Sequence, residues 1–101
     1  MTLVLGDIEQ YFVVNQFKLS HAYPNPFNPS TSLDLNLDVN SHVNASVYNI
    51  NGQLVDVILD KDMQAGDHNL TWNAQSFSSG LYFIRLQAGD NVAIQKLVLM
   101  K

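Results

Sequence analysis

Apolar residues recur at every second position along most of this chain, and no window keeps the spacing of an amphipathic helix. The stretch from Ser32 to Val39 is the clearest. There Leu33, Leu35, Leu37 and Val39 alternate with Ser32, Asp34, Asn36 and Asp38. Successive side chains of a strand point to opposite faces, so this pattern predicts a half-buried strand with one polar face. Val43 to Ile50 and Gln53 to Leu59 are two further strand candidates, divided by Asn51-Gly52. Asn-Gly suits a two-residue type I′ turn, in which both central residues need positive φ. In that register Tyr48 opposes Val55 and Val47 opposes Asp56, leaving apolar residues on both faces of the hairpin. Either a bulge intervenes or the hairpin is covered on both sides.

Asp60 to Asp67 reads as a polar loop and His68 to Trp72 as a short strand, with Leu70 and Trp72 on one face. Asn73 to Ser79 is a turn-rich connection into Gly80. A second hairpin, Gly80 to Ala88 and Val92 to Met100, turns at Gly89-Asp90-Asn91, with a two-residue loop centred on Gly89-Asp90 or on Asp90-Asn91. That puts Tyr82, Ile84, Leu86, Ala93, Leu97 and Leu99 on the expected core face. Leu81, Phe83, Arg85, Lys96 and Val98 share the other.

Upstream, Tyr23-Pro24-Asn25-Pro26-Phe27-Asn28-Pro29 predicts a stiff, non-helical strap, because proline fixes φ and pushes the preceding residue toward extended geometry. Tyr23 and Phe27 are available to pin it to the body. Tyr11 to Leu19 has strand character, either as a first strand or as the tail of a linker. Six or seven short strands with regular turn signals and one Trp predict an all-β antiparallel sandwich.

The 101 residues suffice for one domain, and 47% apolar content argues against disorder. Charged residues make up only 14%, against about a quarter in typical domains. The net charge is −4, and the cations Lys18, Lys61, Arg85, Lys96 and Lys101 are scattered. Nucleic acid and anionic membranes are poor partners for such a chain. The absence of cysteine excludes disulfides, thiolate metal sites and cysteine nucleophiles. Met1 to Gly6 lacks a basic region and a long apolar run, and no stretch approaches the roughly 20 residues of a membrane-spanning helix. Any signal for initial export is expected upstream of this segment.

Candidate chemistry is sparse. His21, His42 and His68 lack the close spacing of a metal-binding pair and read as isolated surface residues. Asp34, Asn36 and Asp38 form a row that reads as a solvated face. Asp60, Asp62 and Asp67 are a somewhat better calcium candidate, but EF-hand spacing and its central Gly are missing. Ser76, Ser78 and Ser79 crowd a loop without the Gly-x-Ser-x-Gly elbow of a nucleophile. No catalytic residue, metal or cofactor is expected.

The order of motifs resembles the C-terminal sorting domains of the type IX secretion system, type A. Leu19-Ser20-His21-Ala22-Tyr23-Pro24-Asn25-Pro26-Phe27-Asn28-Pro29-Ser30-Thr31 is similar to their opening signature. The likeness continues through Val47 to Val55, Ala65 to His68 with Trp72, Ser79 to Leu86, and Lys96 to Lys101. It covers roughly residues 17–101, leaving 1–16 as expected linker from an upstream cargo. The resemblance implies an immunoglobulin-like sandwich that directs the cargo across the outer membrane. The implied path runs through the periplasm to the cell surface or the medium. The implied partners are the outer-membrane translocon and a sortase-like peptidase that cuts before the sandwich, within residues 1–20. Translocon recognition maps onto Gly80, Tyr82, Lys96, Leu97, Val98, Leu99, Met100 and Lys101, and the entry motif onto Tyr23 to Pro29. A monomer without membrane insertion is expected. The last strand either offers an edge for strand addition or lies inside the sandwich. Readings from other classes are a carbohydrate-binding or adhesive module, which needs a row of exposed aromatics, and a structural spacer.

Overall fold

The computed structural model describes residues 17–101, and these form seven strands. They are β1 (Phe17–Leu19), β2 (Ser30–Leu37), β3 (Ser41–Asn49), β4 (Leu54–Met63), β5 (Gly66–Asn73), β6 (Gly80–Ala88) and β7 (Asn91–Leu99). A three-stranded sheet, ordered β1-β2-β5, faces a four-stranded sheet, ordered β4-β3-β6-β7. All strand pairings are antiparallel, as expected of an immunoglobulin-like sandwich. The expected linker, residues 1–16, lies outside the described residues. Of the stretch Tyr11 to Leu19, the described part is a strand, paired through Phe17 with Leu37.

Alternation decides the core. Leu33, Leu35, Leu37, Leu70 and Trp72 of one sheet meet Val43, Ala45, Val47, Ile84, Leu86, Leu97 and Leu99 of the other, all buried. Burying one such side chain contributes about 1.5–3 kcal/mol before entropy is counted. Val39, expected on this face, is instead 49% exposed. Leu37 takes the last partner of the ladder, Gly66, so β2 stops before Val39 and buries Thr31 at its other end.

The β3–β4 hairpin departs from the expected register. Val47 does oppose Asp56, but Tyr48 opposes Leu54 rather than Val55. Asn51-Gly52 is not the centre of a two-residue turn. The Gly52 N–H donates to Asn49 O (3.0 Å), the Asn49 N–H donates to Gln53 O (3.0 Å), and Gly52 has φ 78°. This is a three-residue loop with glycine in the left-handed region. Asn49 Oδ1 strengthens it by accepting the N–H groups of Asn51 (2.9 Å) and Gln53 (3.0 Å). The register shifts again between Ala45 and Ser46. These two bulges resolve the apolar residues on both faces of β4. Val55, Ile58 and Leu59 pack on the core, and Leu54 and Val57 face water.

The expected polar loop from Asp60 to Asp67 is instead the end of β4 and the start of β5, joined by a two-residue link, Gln64-Ala65, that crosses from one sheet to the other. The β3–β4 ladder runs on to Ser41 and Met63, so polar side chains here are strand residues with a solvated face. The second hairpin turns at Gly89-Asp90, with Ala88 opposite Asn91. Of its expected core residues, Tyr82, Ile84, Leu86, Leu97 and Leu99 are buried and Ala93 is half-buried.

Candidate functional site

β7 is an edge strand, since β6 alone pairs with it within the sheet. From Gln95 to Met100 its outer edge is covered by the proline strap. Prolines 24 and 26 carry no N–H, so the strap cannot supply a regular ladder. The Asn25 carboxamide supplies the bonds instead. Its Nδ2 donates to Lys96 O and its Oδ1 accepts the Val98 N–H, each at 2.9 Å. Phe27 then runs parallel to β7, its N–H donating to Val98 O (2.9 Å) and its O accepting the Met100 N–H (3.0 Å). Gln95 completes the seal from β7. Its Oε1 accepts the Ala22 N–H (3.0 Å) and its Nε2 donates to Ser20 O (2.6 Å).

Within the strap, Phe27 is the anchor. It is 2% exposed and lies 5.7 Å from the Trp72 ring. The Tyr23 side chain, expected to help, is 81% exposed. Only its backbone is tied, to Ser32 in both directions (2.9 and 3.1 Å). Pro24 O accepts the Thr31 hydroxyl (2.7 Å) and Pro29 O accepts the Ala74 N–H (2.8 Å). Pro26 and Asn28 are exposed.

The residues of the terminal motif separate into two sets. Tyr82, Leu97 and Leu99 belong to the core. The Tyr82 ring lies 5.3 Å from Trp72 and 6.2 Å from Phe77, and its hydroxyl donates to Ser78 O (2.7 Å). Lys96, Met100 and Lys101 are exposed, Val98 is half-buried on the outer face, and Gly80 is exposed opposite Leu99. Lys101 is nonetheless held, its N–H donating to Ser79 Oγ (2.9 Å) and its Nζ to Gln75 O.

His42 is not isolated. Its Nε2 lies 2.6 Å from Asp60 Oδ1 and its Nδ1 2.7 Å from Asp62 Oδ1. The hydrogen bond to Asp60, then that to Asp62, raises its pKa above the ordinary 6.5. The same bond to His42, aided by Asn44, lowers that of Asp60. Asp67, the third calcium candidate, lies on the three-stranded sheet and there accepts Asn36 Nδ2 of the neighbouring strand (2.6 Å). Among the described residues no cluster of three or more His, Asp or Glu is placed to hold a metal ion.

The family described as the secretion system C-terminal sorting domain matches residues 21–100, a span that takes in both the strap and the strand it seals. The chain belongs to this family. The domain is the sorting signal of type IX secretion, and its likeness to solved structures concerns the fold. The crystal structure of dimeric latent PorU from Porphyromonas gingivalis superimposes with a TM-score of 0.67 at 14% identity, over 92% of this chain. The chain spans 10% of the length of that protein. No curated protein matches it.

Two features of this sorting domain escaped the sequence reading. Asn25 and Gln95 act as side-chain substitutes for a neighbouring strand. The clue to Asn25 is a carboxamide set between two residues that lack N–H groups. The His42 clamp follows from Asp60 and Asp62 sharing one face of β4, which becomes legible only once β4 is known to be long.

Proposed function

We propose that this domain is the export label of a cargo fused N-terminal to it, read on the outer face of β7 and on the strap that seals its edge, and that it catalyses no reaction itself. One observation carries the reading. The entry motif and the terminal motif are a single hydrogen-bonded unit, with Asn25 and Phe27 bound to Lys96, Val98 and Met100. A reader of this unit touches Lys96, Val98, Met100 and Lys101 directly. Gly80, Tyr82, Leu97 and Leu99 act by holding β7 in place. The partners are the outer-membrane translocon and a sortase-like peptidase, met by a monomer on its way from the periplasm to the surface or the medium. A cut between Phe17 and Leu19 would break the pairing of these residues with β2, which favours cleavage ahead of them.

The carbohydrate-binding alternative gains one point. Tyr48 and Phe83 are cross-strand neighbours on the four-stranded sheet. Both are half-buried and no third ring extends the row.

The test is a secretion assay in a host with an active type IX system. A signal peptide and fluorescent reporter precede residues 1–101, and a second version ends at Gln95. Reporter outside the cell with the full chain, and retained with the shorter one, is the expected result. Equal retention of both, with the full chain folded, rejects the proposal for that host.

A further inference from the structure

The two outer faces of the sandwich differ in chemistry. On the three-stranded sheet the outward positions are polar. Ser32 bonds Thr71, Asn69 bonds Asp34, and Asn36 bonds Asp67. On the four-stranded sheet the end nearest the β3–β4 loop is apolar and aromatic. Leu54, Tyr48, Phe83 and Lys96 form one row across β4, β3, β6 and β7, and Val57, Ser46, Arg85 and Ile94 the next. Ile94 is 62% exposed and Leu54 55%, so this apolar surface lies in water. An open depression of about 420 Å³ is set among Tyr48, Ile50, Phe83, Arg85 and Ile94.

Charge is sorted on the same sheet. Arg85 and Lys96 are two of the chain's five cations, and among the described residues neither forms an ion pair. The outward carboxylates Asp60 and Asp62 sit at the far end, engaged by His42.

We infer that this face docks a protein surface that presents apolar side chains flanked by carboxylates. The inference rests on the export reading and names the partner as an outer-membrane component of the translocation machinery. Three observations select this occupant. Two unpaired cations amid apolar side chains call for an anionic complement. A second copy centred on this patch brings no carboxylate to it, because Asp60 and Asp62 sit at the far end of the sheet and are held by His42. The face is also continuous with the β7 edge, because Ile94, Lys96 and Val98 project outward from the strand that the strap holds.

The test uses the reporter fused ahead of the full chain, carrying Arg85→Glu and Ile94→Asp together, with Asn69→Glu and Thr71→Glu as the polar-face control. Loss of hot-spot contacts predicts export reduced by about tenfold or more in the first variant and unchanged in the control. Thermal unfolding of each purified chain shows that both are folded. A photo-reactive phenylalanine analogue at position 94 is expected to cross-link to an outer-membrane protein in cells, and Arg85→Glu to abolish the product. Unchanged export in the first variant, beside lost export in the chain ending at Gln95, overturns the docking face and leaves the export reading intact. Unchanged export in both overturns the two together. A cross-linked product of twice the chain's own mass, or co-sedimentation with phosphatidylglycerol vesicles lost on Arg85→Glu, overturns the inference in favour of self-association or lipid.

Discussion

The side chain of Asn25 accepts the backbone N–H of Val98 at 2.9 Å, across 73 positions of sequence. Its other end donates to Lys96 O, so one residue satisfies two groups on the edge of β7. Asn25→Ala removes both bonds and returns the groups to water. A loss of about 0.5–1.5 kcal/mol per bond is expected in thermal unfolding. Faster amide exchange at Val98 than at Leu97, measured by NMR, localises that loss to the strap, because alternate residues of β7 turn their backbone groups to β6.

Asp56 and Trp72 tie the two sheets together. The indole Nε1 donates to Asp56 Oδ2 at 2.8 Å, and the ring is 2% exposed. Asp56→Ala leaves the buried N–H without its partner, a cost of about 1–3 kcal/mol. Denaturant unfolding followed by emission of this single Trp measures it.

Leu97 and Met100 share the terminal motif but have opposite fates, one fully buried and the other 59% exposed. Leu97→Ala is expected to cost about 2–5 kcal/mol through the cavity it leaves. Met100→Ala changes stability by no more than about 0.5 kcal/mol. If both substitutions reduce export, calorimetry separates an unfolded label from an unread one.

His42 titrates above its ordinary value because its charged form is held by Asp60 and Asp62. A group with a raised folded pKa stabilises fully below its unfolded value and less as pH climbs through the folded one. Asp60, lowered from 3.8, loses its contribution only as pH falls through its depressed value. The clamp is therefore strongest between about pH 4 and 6.5. An NMR titration is expected to place the His42 midpoint above 6.5, and Asp60→Asn to bring it down.

Much of this was legible in the residues. Alternation from Leu33 to Leu37 and from Tyr82 to Leu86 marked buried strands because one face met the core and the other met water. The misread places share a cause, which is tertiary pairing overriding local signals. The polar run Asp60 to Met63 looked like loop, yet β3 is long enough to pair with it. Asn51-Gly52 promised a two-residue turn, and the bulges that bury Val55 and Ile58 shifted the register. The strap was recognised as stiff, but its target lay about 70 residues downstream, beyond any local pattern.

The seal between Asn25 and Val98 also sets an order of events. The ribosome makes the strap before the edge it covers, so the sandwich cannot close until β7 has been made. Every residue of a cargo fused ahead has by then been made. A chain terminated before Gln95 carries the strap with nothing to fasten to. Under the proposed reading the label thus certifies completeness, since an unfinished message yields a product without a legible address.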